Sequence, residues 1–228
     1  MTILGIETAT SICSVALVRD GKPLALRHSE GSNEHSAILT NLIAEMFAEA
    51  ELTYPQMEAV AVSLGPGSYT GLRIGVSTAK GLCYALDKPL IAIDTLKTLA
   101  FLALQQASQM GYDLSNTLLC PMLDARRMEV YTALYDQQLQ VVQQVNALVV
   151  TEDAFAEFAN KQILYFGDGA AKCIDVLAPL PNCIFLSGIS LTAEAVCLLA
   201  ETEYLYHRFA DVAYCEPFYL KDLSLIHI

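Results

Sequence analysis

The sequence predicts an α/β chain built of two similar halves with a cleft between them. Three observations carry that prediction. The order strand, strand, strand, helix, strand, helix can be read twice along the 228 residues. A polar stretch with a glycine, residues 108–116 (SQMGYDLSN), separates the two readings. Apolar residues recur with period two in short runs and at helical spacing in longer ones. The halves share this pattern and no evident sequence identity. Their expected extents are 1–108 and 109–228, with the last segment packing back on the first half.

The first half reads in order. Residues 2–9 (TILGIETA) and 12–19 (ICSVALVR) are apolar, β-branched strands. Asp20-Gly21 marks a hairpin turn, so 23–30 is a third strand. In 35–50, Ile38, Leu42, Ile43, Met46 and Phe47 fall at helical spacing. Tyr54-Pro55 ends that run. A strand at 58–64 leads into GPGSYTGLRIG (65–75), then a helix over about 68–86, a strand at 90–93 and a helix from Asp94-Thr95 to about 108.

The second half restarts with a strand at 117–123, although Pro121 weakens it as a central strand. Strands at 128–135 and 138–146 form a hairpin around Asp136-Gln137. Thr151-Glu152-Asp153 reads as a helix N-cap for a helix over 152–160. A strand at 162–166, a Gly167-Asp168-Gly169 turn, a helix over 170–177, a strand at 183–186 and a helix over 190–206 follow. Residues 213–220 read as a final strand.

Composition narrows the function. The chain is 54% hydrophobic with mean hydropathy +0.40, yet no eighteen-residue window is wholly apolar, so no membrane helix is expected. The first residues lack a basic region and a cleavage pattern, so no signal peptide is expected. A soluble chain this apolar is expected to cover part of its surface with a partner. The net charge of −12 disfavours tight direct binding of nucleic acid. The densest basic run is Arg126-Arg127. Seven cysteines, none in CxxC, read as buried thiols in a reducing cytoplasm.

GPGSYTGLRIG holds four glycines and opens a helix. It is not a dinucleotide fingerprint, because Thr70 stands where the third glycine belongs, and it lacks the P-loop pattern. Gly65 and Gly67 permit close backbone approach, and Ser68 can cap the helix. These three are the candidate nucleotide contacts, set against a plain tight strand-to-helix turn. Gly71, Gly75 and Ala79 then recur every four residues. Glycine inside a helix costs roughly 1 kcal/mol against alanine. Such a small-residue face admits a close neighbour, either within the chain or in another protein.

Metal and nucleophile motifs are not found. His35 is followed four residues on by Leu39, and His28, His207 and His227 are isolated. No GxSxG elbow surrounds Ser32, Ser68 or Ser187. Glu7 ends the first strand and Asp124 ends its counterpart. The pair could hold a cation across the cleft, or each could satisfy nearby backbone N–H groups.

The stretches ILGIETATSICSVAL, GPGSYTGLRIG, LDARRMEVYTALY (123–135) and CEPFYLKD (215–222) together resemble the TsaB (YeaZ) family along essentially the whole chain. The sequence departs from the family at Arg127-Met128, where relatives usually carry Met-Gly. The resemblance implies the actin/hexokinase-like (ASKHA) fold of two ribonuclease-H-like halves, in agreement with the doubled order. It implies a non-catalytic subunit that pairs with TsaD and is joined by TsaE. That complex forms N6-threonylcarbamoyladenosine beside the anticodon of tRNA. It further implies tRNA contact only through the complex, a homodimer when alone, no metal and no tightly bound cofactor, with ATP or ADP confined to the complex interface. TsaD carries a metal-binding HxxxH, and this chain has His35 and Leu39 at the matching place. The family pairs through helices of the first half, which places Ile38, Leu42, Gly71, Gly75 and Ala79 in or under the interface. Two readings from other classes stand beside this one. An ATP-dependent kinase or phosphohydrolase would need Glu7 or Asp124 to hold magnesium phosphate. A metallopeptidase would need a metal pair that the sequence does not offer.

Overall fold

A computed structural model of the chain describes residues 1–30 and 35–221. Ser32, His227 and the tail from Asp222 lie outside the described residues. Among the described residues, ten strands form two five-stranded mixed sheets.

The first sheet contains β1 (Thr2–Glu7), β2 (Ile12–Arg19), β3 (Lys22–Glu30), β4 (Ala59–Gly65) and β5 (Leu90–Asp94). Its order is β3-β2-β1-β4-β5. The β1–β2 and β2–β3 pairs are antiparallel, whereas β1–β4 and β4–β5 are parallel. Asp20 and Gly21 both take positive φ (50° and 72°), as a two-residue hairpin turn with right-handed strand twist requires.

The second sheet repeats the plan with β6 (Thr117–Asp124), β7 (Glu129–Tyr135), β8 (Val141–Val149), β9 (Gln162–Phe166) and β10 (Cys183–Phe185). Its order is β10-β9-β6-β7-β8, with the same pattern of pair directions. The doubled topology is that of the actin/hexokinase-like fold. The central strands β1 and β6 are covered on both faces, which is why TILGIE and TLLCPML read as nearly unbroken apolar runs.

Helices α1 (His35–Glu49) and α2 (Tyr69–Leu86) cover one face of the first sheet, with Leu39, Ile43, Met46, Val76 and Ala79 in a core shared with Leu4, Ile6 and Val62. Its other face is covered from the far end of the chain. Helix α5 (Ala193–Leu205) lays Ala193, Val196, Cys197 and Ala200 on Ile3, Ala16 and Ala61. A Cβ at Gly5 would stand 2.4 Å from the Ala193 carbonyl oxygen, so glycine at that position lets α5 approach β1. Reciprocally, α3 (Thr95–Gln109) packs Leu96, Leu99 and Ala103 against Leu119, Leu123 and Leu164 of the second sheet. Each sheet thus borrows a helix from the other half of the chain.

Four expected elements differ. The helix expected over 152–160 is a run of turns with a 3-10 turn at Ala156–Phe158, and Thr151 caps nothing with its side chain. Phe155 is the one residue of that stretch fully in the core, too little apolar surface to hold a helix. The helix over 170–177 is a 3-10 turn, Ala171–Cys173, followed by the single turn α4 (Ile174–Leu177). Strand β8 starts three residues later than expected. Asp136 Oδ1 accepts from the Gln138 and Gln140 N–H groups at 2.9 and 2.8 Å and widens the hairpin loop. Residues 213–220 form an irregular strap. Asp211 Oδ1 accepts from the Ala213 N–H at 2.7 Å, and Lys80 Nζ donates to the carbonyls of Ala213 and Cys215 at 3.1 and 2.8 Å. Those peptide groups are bonded to side chains, not to a neighbouring strand.

Candidate functional site

The parallel strands of both sheets end at a cleft of ≈ 990 Å³. The first half lines it with the β1–β2 turn (Ala9, Thr10, Ser11) and the start of α2. The second half lines it with residues 123–127 and Asp168, and the strap closes one side with residues 218–221.

The GPGS turn forms one wall. Gly65 has φ +127°, and a Cβ there would lie 2.5 Å from the Phe218 carbonyl oxygen. Its N–H donates to Thr95 Oγ1 at 3.1 Å. A Cβ at Gly67 would lie 2.6 Å from the Ala9 carbonyl oxygen. The Ser68 N–H donates to that same carbonyl at 2.7 Å, and Ser68 Oγ accepts from the Gly71 N–H at 3.3 Å. Ser68 therefore caps α2 as expected. The turn's glycines serve close packing against the β1–β2 turn and the strap.

Glu7 and Asp124 end the two central strands, yet they do not meet across the cleft. Glu7 is fully buried. Its Oε1 accepts from the Ala9 N–H at 2.6 Å and its Oε2 accepts from the Ser63 hydroxyl. Burial pushes its carboxyl up to about 7, against the pull of those bonds. Asp124 accepts from the Arg126 N–H at 2.9 Å and pairs with Lys172, whose ammonium holds that carboxyl below its ordinary range. Lys172 also donates to the carbonyls of Arg127 and Glu129, at 2.8 and 2.7 Å. Of the two sequence readings, satisfaction of nearby backbone N–H groups is the one seen. Asp168 Oδ1 accepts from the Asp124 N–H at 2.9 Å, and burial pushes its carboxyl up. Among the described residues no group of three or more His, Cys, Asp or Glu could hold a metal ion.

The second candidate region is the seam between α1 and α2. Gly71 and Gly75 do not face outward. A Cβ at Gly71 would lie 2.1 Å from the Thr8 carbonyl oxygen, and one at Gly75 would lie 2.3 Å from Thr8 Oγ1. Ala79 is fully buried beside them. The small-residue face therefore admits the end of β1, a neighbour within the chain. The row beside it is what reaches the surface. Ile74, Thr78 and Leu82 are half-buried on α2, next to half-buried Ile38 and Leu42 on α1. Ile74 and Leu82 were missed from sequence, although their four-residue spacings through Thr78 were there to read. Lys172, Ser63 and Lys80 were also missed, because their partners lie far away in the chain.

Leu39 is buried in the first core, one turn after His35, whose Nε2 lies 3.1 Å from the Thr10 carbonyl oxygen. All seven cysteines are free thiols, five of them buried. Burial pushes Cys83 and Cys120 up to about 12. Among the described residues no helix is long and apolar enough to cross a membrane.

The family model of TsaD, tRNA N6-adenosine threonylcarbamoyltransferase, matches residues 29–214. A Haemophilus influenzae protein named tRNA threonylcarbamoyladenosine biosynthesis protein TsaB is 27% identical over 97% of this chain and 94% of its own length. A Bacillus subtilis protein of the same name is 34% identical over 64% of this chain and 59% of its own length, so the match spans about three fifths of that relative. Among solved structures, YeaZ from Pseudomonas aeruginosa superposes with a TM-score of 0.80 at 24% identity, over 96% of this chain and 99% of that one, and shows the fold. With the family model spanning most of the chain and the Haemophilus influenzae relative matching along nearly its whole length, the chain belongs to the TsaB (YeaZ) family, within the group that the TsaD model describes.

Proposed function

We propose that this chain is the non-catalytic, activating subunit of a threonylcarbamoyl transfer complex, in which it pairs with TsaD and is joined by TsaE. The complex modifies adenosine beside the anticodon of tRNA. Family membership and the names of the relatives support involvement in this pathway. One observation carries the subunit role. At the place of the second histidine of the metal-binding HxxxH, the chain has Leu39 packed in its core at 1% exposure. A buried leucine cannot be turned into a ligand without dismantling that core.

The first half carries the partner-binding surface in this reading. Ile38, Leu42, Ile74 and Leu82 form an apolar seam whose side chains are half-covered by the chain itself. Pairing would complete their burial, at roughly 25 cal/mol per Å² of apolar surface removed from water. Gly71, Gly75 and Ala79 lie beneath and set the height of α2 over β1. Alone, the same seam pairs two copies of the chain. The net charge of −12 leaves contact with tRNA to the partner. ATP or ADP belongs at the complex interface, with no tightly held cofactor in the chain.

Reconstituted transfer tests the reading. TsaD and TsaE with tRNA and threonylcarbamoyl-adenylate should form modified adenosine only when this chain is added. The chain without TsaD should form none. Equal product with and without the chain would overturn the proposal.

A further inference from the structure

Among the described residues the two sheets end in four outer strands, and three of those edges are blunted. Strand β3 carries Lys22, Pro23, Arg27 and Glu30, and charges and a proline keep an edge from accepting another strand. The edge of β5 is bridged by Ala210, whose N–H donates to the Leu90 carbonyl at 2.8 Å. Strand β10 is three residues long. The fourth edge differs. Strand β8, VVQQVNALV, runs nine residues with no charged residue, proline or glycine. Val141, Val142 and Val149 on it are 48%, 44% and 59% exposed. Its pairing with β7 is irregular between Gln143 and Asn146 and regular from Asn146 to Val149. Along that regular run, alternate residues point their N–H and C=O groups away from β7. Among the described residues no strand pairs with them. Asn146 Oδ1 is shielded from water and accepts no hydrogen bond there, an acceptor left open on the same run.

The charge around this edge selects its occupant. From Met128 to Asn160 the chain holds Glu129, Asp136, Glu152, Asp153 and Glu157, and no lysine or arginine. Glu129 is answered by Lys221. Glu152 and Asp153 are exposed just beyond the regular run, and neither makes an ion pair among the described residues. A second copy brings the same acidic hairpin against this one in either direction. Laid antiparallel over the whole strand, it sets Asp136 of one copy near Glu152 and Asp153 of the other. Laid parallel in register, it stacks Glu152 on Glu152. Both arrangements place like charges together, which opposes pairing. A segment with lysine or arginine at the end of its strand meets the opposite charge instead.

We infer that the outer edge of β8 accepts one extended strand of a partner protein, a segment of alternating β-branched residues with lysine or arginine at the end that lies beside Glu152 and Asp153. Backbone bonds to Asn146–Val149 supply the pairing, and Val149 supplies an apolar cross-strand contact. The carboxylates fix which end of the segment goes where. The edge belongs to the second half, apart from the seam on α1 and α2, so the inference stands whether or not that seam pairs with TsaD.

Fluorescence anisotropy on the full chain tests it, with a labelled synthetic peptide of three lysines followed by alternating threonine and valine. This peptide should bind below millimolar concentration, and more weakly as salt rises. The same peptide with glutamates for lysines should not bind. Two further peptides carry backbone N-methyl groups on one or the other alternating set of strand residues. Only one set faces β8, so one peptide should bind tenfold or more weakly and the other like the parent peptide. Val149→Lys puts a charge on the edge and should weaken binding tenfold or more. Val149 is exposed, so that variant should melt like the parent chain. Glu45→Gln, on the exposed side of α1, should bind as the parent does. Amide exchange at Asn146–Val149 should slow with peptide bound while exchange in β3 stays unchanged. No binding of the lysine peptide at millimolar concentration would overturn the inference, as would equal binding by Val149→Lys. Equal binding of the two methylated peptides would reduce the contact to charge attraction and overturn strand addition. Slowed exchange at Asn146–Val149 in a concentrated Ile74→Lys variant without peptide would place a second copy on the edge and overturn the choice of a basic segment.

Discussion

Glu7 and Asp124 hold the same place in the two halves, each the last residue of its central strand and each bonded to the N–H two residues on, but Glu7 is sealed in the core. The difference lies in their second partners. Glu7 meets the Ser63 hydroxyl from β4, whereas Asp124 meets the Lys172 ammonium at the cleft. One site keeps a carboxyl away from water, and the other neutralises it at the surface.

That burial has a pH consequence. The folded-state value of Glu7 is raised from 4.5 to about 7. Between those values the unfolded chain releases a proton that the folded chain keeps, so stability falls as pH rises and levels off above about 7. The full loss is on the order of 3 kcal/mol. Glu7→Gln keeps an acceptor for the Ala9 N–H and should remove this dependence. Urea unfolding of both proteins at a mildly acidic and a mildly alkaline pH checks it. The variant should gain on the parent as pH rises.

Substitutions on α2 should separate folding from pairing. Gly75→Leu would drive a side chain into Thr8 Oγ1, so it should destabilise the chain by about 1–3 kcal/mol or more and says little about an interface. Ile74→Lys sits one residue away on the half-buried row, where the lysine stem can lie along the seam and its charge can reach water. It should cost about 1 kcal/mol of stability and abolish pairing. Thermal melts and size measurement of the two variants check the contrast.

Lys80 fastens the strap. Lys80→Met removes the bonds to the Ala213 and Cys215 carbonyls, and hydrogen bonds to a charged group contribute about 1.5–3 kcal/mol. Local opening of the strap should then become easier. Amide exchange at Phe218, whose N–H donates to the Leu64 carbonyl at 2.7 Å, should quicken while exchange in β1 stays slow.

The first half was legible because its signals are local. Asp20-Gly21, the Ser68 cap and the long apolar periodicities of α1, α2 and α3 each act within a few residues. The second half blurred where elements shrink to one turn, as at 156–158 and 174–177. There the few apolar residues no longer define a period. The strap misled because its alternating Phe218 and Leu220 imitate a strand, while it is held by Asp211, Lys80 and a single bond from the Phe218 N–H to the Leu64 carbonyl in place of a ladder. The site was half legible. The Ser68 cap and the carboxylates at the strand ends could be found from sequence. The inward facing of Gly71 and Gly75 could not, because it depends on Thr8, more than sixty residues earlier.

The most direct test of the account is the mass in solution of the chain, alone and mixed with TsaD, by size-exclusion chromatography with light scattering. The account predicts a homodimer that converts to a one-to-one heterodimer, and an Ile74→Lys variant that stays monomeric in both samples. A parent chain that ignores TsaD, or an Ile74→Lys variant that pairs as the parent does, would contradict it.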